Sequence, residues 1–155
     1  MTSSHQGTAL ITGASSGIGA VYADRLARRG YDLILVARNR DRLIALANRI
    51  TTETRRSVEI VDADLGDRAA LAAVEAKLKQ DASITLLVNN AGVGTHTPLL
   101  DSDADAMTRM IDLNVTALTR LTYAAVPGFV ARGKGAVINI SSIAGLRAHS
   151  STPYT

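Results

Sequence analysis

The sequence predicts an α/β fold built on a doubly wound parallel sheet. Three observations carry that prediction. Short apolar runs alternate with amphipathic stretches of ten or more residues along the chain, as in βαβ units with right-handed crossovers and parallel strands. A run such as Asp32–Ala37 (DLILVA) is apolar almost throughout rather than alternately apolar and polar, which fits a strand buried on both faces. A glycine-rich turn directly follows the first run, where such sheets bring backbone N–H groups up to a bound phosphate.

The elements follow in order. Thr8–Thr12 (TALIT) reads as the first strand and stops at glycine-rich Gly13–Gly19. An amphipathic stretch through Val21, Leu26 and Ala27 reads as the first helix, with Gly30 as its C-terminal stop. Asp32–Ala37 is the second strand, and Arg40–Arg49, with Leu43, Leu46 and Ala47 at helical spacing, is the second helix. Ser57–Val61 is a third strand, Asp67–Gln80 a third helix and Ile84–Asn89 (ITLLVN) a fourth strand. A long helical region from Ser102 to Arg132 ends at Gly133–Gly135, and Ala136–Ile140 (AVINI) is a fifth strand. No internal repeat, low-complexity segment or linker divides residues 1–155, which read as one Rossmann-type domain.

Composition excludes several classes. The 155 residues are 46% hydrophobic and 20% charged, normal for a globular domain and unlike a disordered chain. Cysteine is absent, which removes disulfides, thiolate metal sites and cysteine nucleophiles. His96 and His149 stand in no ligand pattern, so no metal site is expected. Strictly apolar runs such as Leu33–Ala37 are too short to cross a bilayer, and no charged start leads into an apolar core, so a cytoplasmic protein is expected. The net charge of +3 and a pI near 9.6 suggest nucleic acid at first sight. However, the cations are interspersed with acids, the one tight cluster is Arg38–Arg40–Arg42, and 3% aromatic residues cannot form a stacking platform.

The turn Thr12-Gly13-Ala14-Ser15-Ser16-Gly17-Ile18-Gly19 has the spacing G-x-x-x-G-x-G rather than the common G-x-G-x-x-G. Glycine removes the Cβ that would block a phosphate, and Ser15 and Ser16 bring hydroxyl donors. Nineteen residues past Gly19, where such folds often place an acid for the adenosine ribose, stands Arg38. An acid repels a 2′-phosphate, whereas an arginine binds it through charge-assisted, often bidentate hydrogen bonds. NADP(H) is therefore favoured over NAD(H), with NAD(H) still possible.

These residues, with several further motifs in order, resemble the classical short-chain dehydrogenase/reductase family. Thr12–Gly19 is similar to its cofactor turn and Asp64-Leu65 to its adenine-contacting pair. Asn89-Asn90-Ala91-Gly92 resembles the signature closing its fourth strand near the cofactor. Asn114, in Leu113-Asn114-Val115, resembles the helix asparagine of its catalytic tetrad, Ile140-Ser141-Ser142 the catalytic serine segment, and Tyr154 the tyrosine of Tyr-x-x-x-Lys. The resemblance implies cofactor contacts from Gly13, Ser15, Ser16, Gly17, Ile18, Gly19, Arg38, Asp64, Leu65, Asn90, Ala91 and Gly92. It also implies hydride transfer between a nicotinamide and a small alcohol or carbonyl substrate. Tyr154 would be the general acid/base, Ser142 would hold the substrate oxygen, and Asn114 would hold a relay water through a locally distorted helix. A homodimer or homotetramer is implied as well.

The match departs from the family in two places. Twelve residues separate Ser142 from Tyr154, one fewer than usual, and Ser141 would restore the spacing. The motif lysine belongs at position 158, past Thr155. The 155 residues therefore read as the N-terminal part of a larger domain and are expected to be inactive alone. The alternative reading is a non-catalytic dinucleotide-binding or regulatory module.

Overall fold

The computed structural model describes residues 5–94 and 97–142. The chain runs β1 (Thr8–Thr12), α1 (Gly17–Arg28), β2 (Asp32–Ala37), α2 (Arg40–Thr54), β3 (Val58–Asp62), α3 (Arg68–Gln80) and β4 (Ile84–Asn89). A single 3₁₀ turn, Leu99–Asp101, precedes α4 (Ala104–Ile111), which continues through a π-helical turn (Asp112–Ala117) into α5 (Leu118–Ala131). The last element is β5 (Ala136–Asn139). The strands form one parallel sheet in the order β3-β2-β1-β4-β5. The expected doubly wound Rossmann-type sheet is thus present.

The period-two alternation of side chains divides the core into two layers. Ala9, Ile11, Leu33, Leu35, Leu86 and Val88 face α1 and α2, meeting Ala23, Leu26, Leu43 and Ile50. Leu10, Ile34, Val36 and Leu87 face α3 and α5, meeting Leu71, Val74, Leu78, Leu121 and Phe129. Ile84 joins this second layer despite its even spacing from Leu86, because the β1–β4 register shifts between Thr8 and Ala9. Continuous apolar runs were needed in β1, β2 and β4 because both faces of the central strands are covered.

Several boundaries differ from the sequence reading for identifiable reasons. Helix α2 runs on to Thr54, past the expected Arg49, and stops where Arg55 adopts a left-handed conformation (φ 61°). Strand β3 is displaced by one residue toward Asp62 because Ala37 pairs with Asp62 in the β2–β3 register. The long helical region carries its π turn around Asn114, where the family resemblance implied a local distortion, and Pro127 lies within α5 on its exposed face, where the lost backbone hydrogen bond is nearest to water. β5 ends at Asn139, although Ile140 N–H still donates to Asn89 O at 2.9 Å.

Candidate functional site

The carboxyl ends of β1 to β4 all open on one side of the sheet. There they form a cleft of about 500 Å³, in the size range of small-molecule and cofactor pockets. The β1–α1 turn contributes Gly13, Ser15, Ser16 and Ile18; the end of β2 contributes Val36, Ala37, Arg38 and Asn39, followed by Arg42 of α2. Ala63, Asp64 and Leu65 follow β3, Asn90 to Val93 follow β4, and Leu113 enters from the π turn.

One hydroxyl ties the two central strand ends together. Thr12, at the end of β1 and 2% exposed, accepts from Asn90 N–H and Ala91 N–H, each at 3.0 Å, and donates to Val88 O at 3.4 Å. This uses the full capacity of a threonine hydroxyl, one donor and two acceptor positions. The Asn90 amide returns the connection by donating to Thr12 O (3.0 Å) and Gly13 O (3.2 Å). Asn89 points to the other side. Its Nδ2 donates to Thr122 Oγ1 (3.1 Å) and Asn139 Oδ1 (3.0 Å), linking β4 to α5 and β5.

The glycines of the turn have different duties. Gly13 takes φ +64°, and a Cβ there would lie 2.8 Å from Asn90 Nδ2 and 2.9 Å from Ala91 Cα. A Cβ on Gly19 would meet the carbonyl oxygen of Gly13 and Asn90 Nδ2, so Gly19 lets α1 press against the β4 loop. Gly17 has φ +53° and open space around its missing side chain. Gly17 and Gly19 therefore shape the turn without lining the cleft, whereas Gly13 does both. Ser16 occupies the N-cap of α1 without a side-chain capping bond, while Asn39, Asp67 and Asp103 cap α2, α3 and α4. The leading N–H groups of α1 thus keep their hydrogen-bonding capacity and the positive end of the helix dipole.

The adenosine side of the expected site carries charge. The Arg38 guanidinium lies 4.0 Å from Asp64 Oδ2, and Arg40 lies 3.4 Å from Asp62 Oδ2. Asp64 is itself anchored, because its Oδ1 accepts from Gly66 N–H at 2.9 Å. Leu65 is buried beside it, only 5% exposed.

Asn114 sits within the π turn, where the sequence reading expected a distorted helix. Both polar atoms of its amide engage Val93: Oδ1 accepts from Val93 N–H (2.9 Å) and Nδ2 donates to Val93 O (2.7 Å). This grip ties the helix to the loop that follows β4. A Cβ on Gly92 would stand 3.2 Å from Asn114 Oδ1, so a small residue helps the two segments meet. Ser141 and Ser142 follow β5 in irregular, exposed backbone. Tyr154, His96 and His149 lie outside the described residues. Sequence reasoning did not single out Thr12, Arg42, Val93 or Leu113 for this site. Two of them had a signal: Thr12 opens the motif likened to the cofactor turn, and Arg42 belongs to the basic cluster 38–40–42. Among the described residues no cluster of His, Cys, Asp and Glu could hold a metal ion, and no helix is long and apolar enough to cross a membrane.

A crevice at the carboxyl ends of a doubly wound parallel sheet, floored by a glycine turn and the N-terminus of α1, defines a Rossmann-type nucleotide-binding protein. The chain belongs to the short-chain dehydrogenase family, a family of oxidoreductases, whose model (short chain dehydrogenase) matches residues 7–155. It is 34% identical over 146 residues to a very-long-chain 3-oxoacyl-CoA reductase of Anas platyrhynchos, covering 89% of this chain and 46% of that protein. It is similar in structure to a short-chain dehydrogenase from Sphingobium yanoikuyae in complex with NADPH, with a TM-score of 0.89 and 53% identity, over 90% of this chain and 55% of that one. A bulky-bulky ketone specific alcohol dehydrogenase from Comamonas testosteroni also has a TM-score of 0.89, with 46% identity, over 90% of this chain and 56% of that one. The chain therefore spans about half the length of the proteins it matches.

Proposed function

We propose that the protein is an NADP(H)-dependent oxidoreductase acting between an alcohol and the corresponding carbonyl compound. The observation that carries this reading is Arg38. It follows the end of β2 and lines the cleft at the level where a sheet built for NAD(H) places an acid. The NADPH held by the Sphingobium relative supports the same reading.

The residues present fit the dinucleotide. Ser15, Ser16 and the uncapped N-terminus of α1 would receive its diphosphate, with Gly13 and Ile18 bordering that space and Gly17 and Gly19 shaping the turn around it. Asp64 and Leu65 would border the adenine, and Asn90, Ala91 and Gly92 the ribose toward the nicotinamide. Bound in this way, the nicotinamide supplies or takes up the hydride.

The chain's own part is to handle the substrate oxygen. In the reductive direction Tyr154 donates its phenolic proton to the carbonyl oxygen, and Ser142, or Ser141 in its place, holds that oxygen by a hydrogen bond. A phenol has an ordinary pKa near 10, so this role requires positive charge nearby. Because the Asn114 amide is committed to Val93, a relay water would meet its remaining N–H or a carbonyl released by the π turn. The exposed residues Tyr123 and Val130 of α5 fit a place in a dimer or tetramer.

NADPH consumption by the full-length protein with ketone and aldehyde substrates tests the proposal. Turnover is expected, and Tyr154→Phe should lower kcat by about 10²–10⁴-fold. The 155 residues alone, which lack the motif lysine, should show none. Dinucleotide binding without turnover by the full-length protein would instead support the non-catalytic module.

A further inference from the structure

We propose that Arg42 is a second determinant of selectivity for a 2′-phosphorylated cofactor, acting beside Arg38. The inference rests on the NADP(H) reading above and adds to it a residue from the first turn of α2.

The N-terminal turn of a helix disfavours cations, because its unpaired N–H groups already carry the positive end of the dipole. Helix α2 nevertheless opens with Arg40 and Arg42, with Asp41 as the sole acid of that turn and Arg38 just ahead of it. Two of these three guanidiniums have carboxylate partners across the strand ends, Arg38 with Asp64 at 4.0 Å and Arg40 with Asp62 at 3.4 Å. Arg42 has no ion pair among the described residues. It is exposed, and it lines the cleft that Arg40 does not line. Its backbone is fixed, because Asn39 Oδ1 accepts from Arg42 N–H at 2.9 Å. The rim therefore holds one cation shared with Asp64 and one uncompensated cation a helical turn away, facing the same space.

A 2′-phosphate carries close to two negative charges near neutral pH. Arg38, already shared with an anchored carboxylate, leaves that charge undercompensated. Arg42 supplies the second fork, and in return the phosphate relieves the repulsion between the helix terminus and its own cations. Arg40, turned to Asp62, contributes only through the general field.

The test compares adenosine 2′,5′-bisphosphate with 5′-AMP by titration calorimetry, on the wild type and on Arg42→Gln, Arg42→Lys and Arg40→Gln. Arg42 is exposed, and melting curves confirm that each variant folds. The wild type should bind the bisphosphate more tightly, and Arg42→Gln should cut that preference roughly tenfold without altering 5′-AMP binding. Arg42→Lys should fall between the two, since it keeps the charge and loses the fork. Arg40→Gln should stay within about twofold of the wild type. If Arg42→Gln retains the wild-type preference, the role of Arg42 is overturned while the NADP(H) reading stands. Equal losses in Arg40→Gln and Arg42→Gln would mean a diffuse field and would overturn it too. A wild type with no preference for the bisphosphate brings down both readings.

Discussion

Replacing Thr12 by valine keeps the shape of the side chain and removes one oxygen. That oxygen accepts from Asn90 N–H and Ala91 N–H at 3.0 Å each, at a residue only 2% exposed. Valine leaves both N–H groups without this partner, at about 1–3 kcal/mol for each donor stranded away from water. Asn90 and Ala91 are half-buried rather than sealed, so the lower half of the range applies, about 2–4 kcal/mol in total. For a chain of this size that corresponds to roughly 4–16 °C in Tm. Urea unfolding followed by circular dichroism measures the loss, and Thr12→Ser, which keeps the hydroxyl, should recover most of it. The dinucleotide affinity of Thr12→Val should fall as well, because the same bonds place the β4 loop against the glycine turn. A Thr12→Val protein within about 0.5 kcal/mol of the wild type, or a serine variant as unstable as the valine one, would refute the assignment of this hydroxyl as the tie between β1 and β4.

Other outcomes follow from the same geometry. Gly19→Ala drives a Cβ into the Gly13 carbonyl and should abolish measurable dinucleotide binding. Gly17→Ala meets no atom but keeps φ +53°, so it should lose only about 1–2 kcal/mol of stability in the same unfolding assay. Asp24 on α1 accepts from Arg28 (3.0 Å) and from Arg49 of α2 (3.0 Å). The Arg28 hydrogen bond, opposed by partial burial and helped by Arg49, holds its carboxyl below the ordinary range. Its folded pKa thus lies under its unfolded one, and its stabilisation is present above the ordinary carboxylate range and lost as pH falls through the folded value. Stability measured against pH should be flatter on the acid side for Asp24→Asn, and an unchanged acid slope would count against this clamp.

The sheet was legible because its central strands are buried on both faces, which forces uninterrupted apolar runs such as Leu33–Ala37. The ends of elements were less so. α2 continues through Thr51, Thr52 and Thr54, whose β-branched side chains are poor helix formers, and only the left-handed Arg55 stops it. The π turn was not read from the residue spacing and entered only through the likeness of Asn114 to the family's helix asparagine. In the site, the glycine turn and Arg38 could be read because each lies at a set distance along one βαβ unit. Thr12, Arg42, Val93 and Leu113 could not, because their roles come from strand ends and a helix turn that converge only when the sheet has assembled. Ser142 is placed just after β5, while Tyr154 lies outside the described residues, so the pairing of serine and tyrosine rests on the family resemblance.

We propose that the cleft takes a dinucleotide carrying a 2′-phosphate. Calorimetric dissociation constants for NADPH and NADH, measured on the same preparation, test it most directly. NADPH should bind more tightly by one to two decades, the worth of a charge-assisted hydrogen bond at about 1.5–3 kcal/mol. Tighter binding of NADH would contradict it.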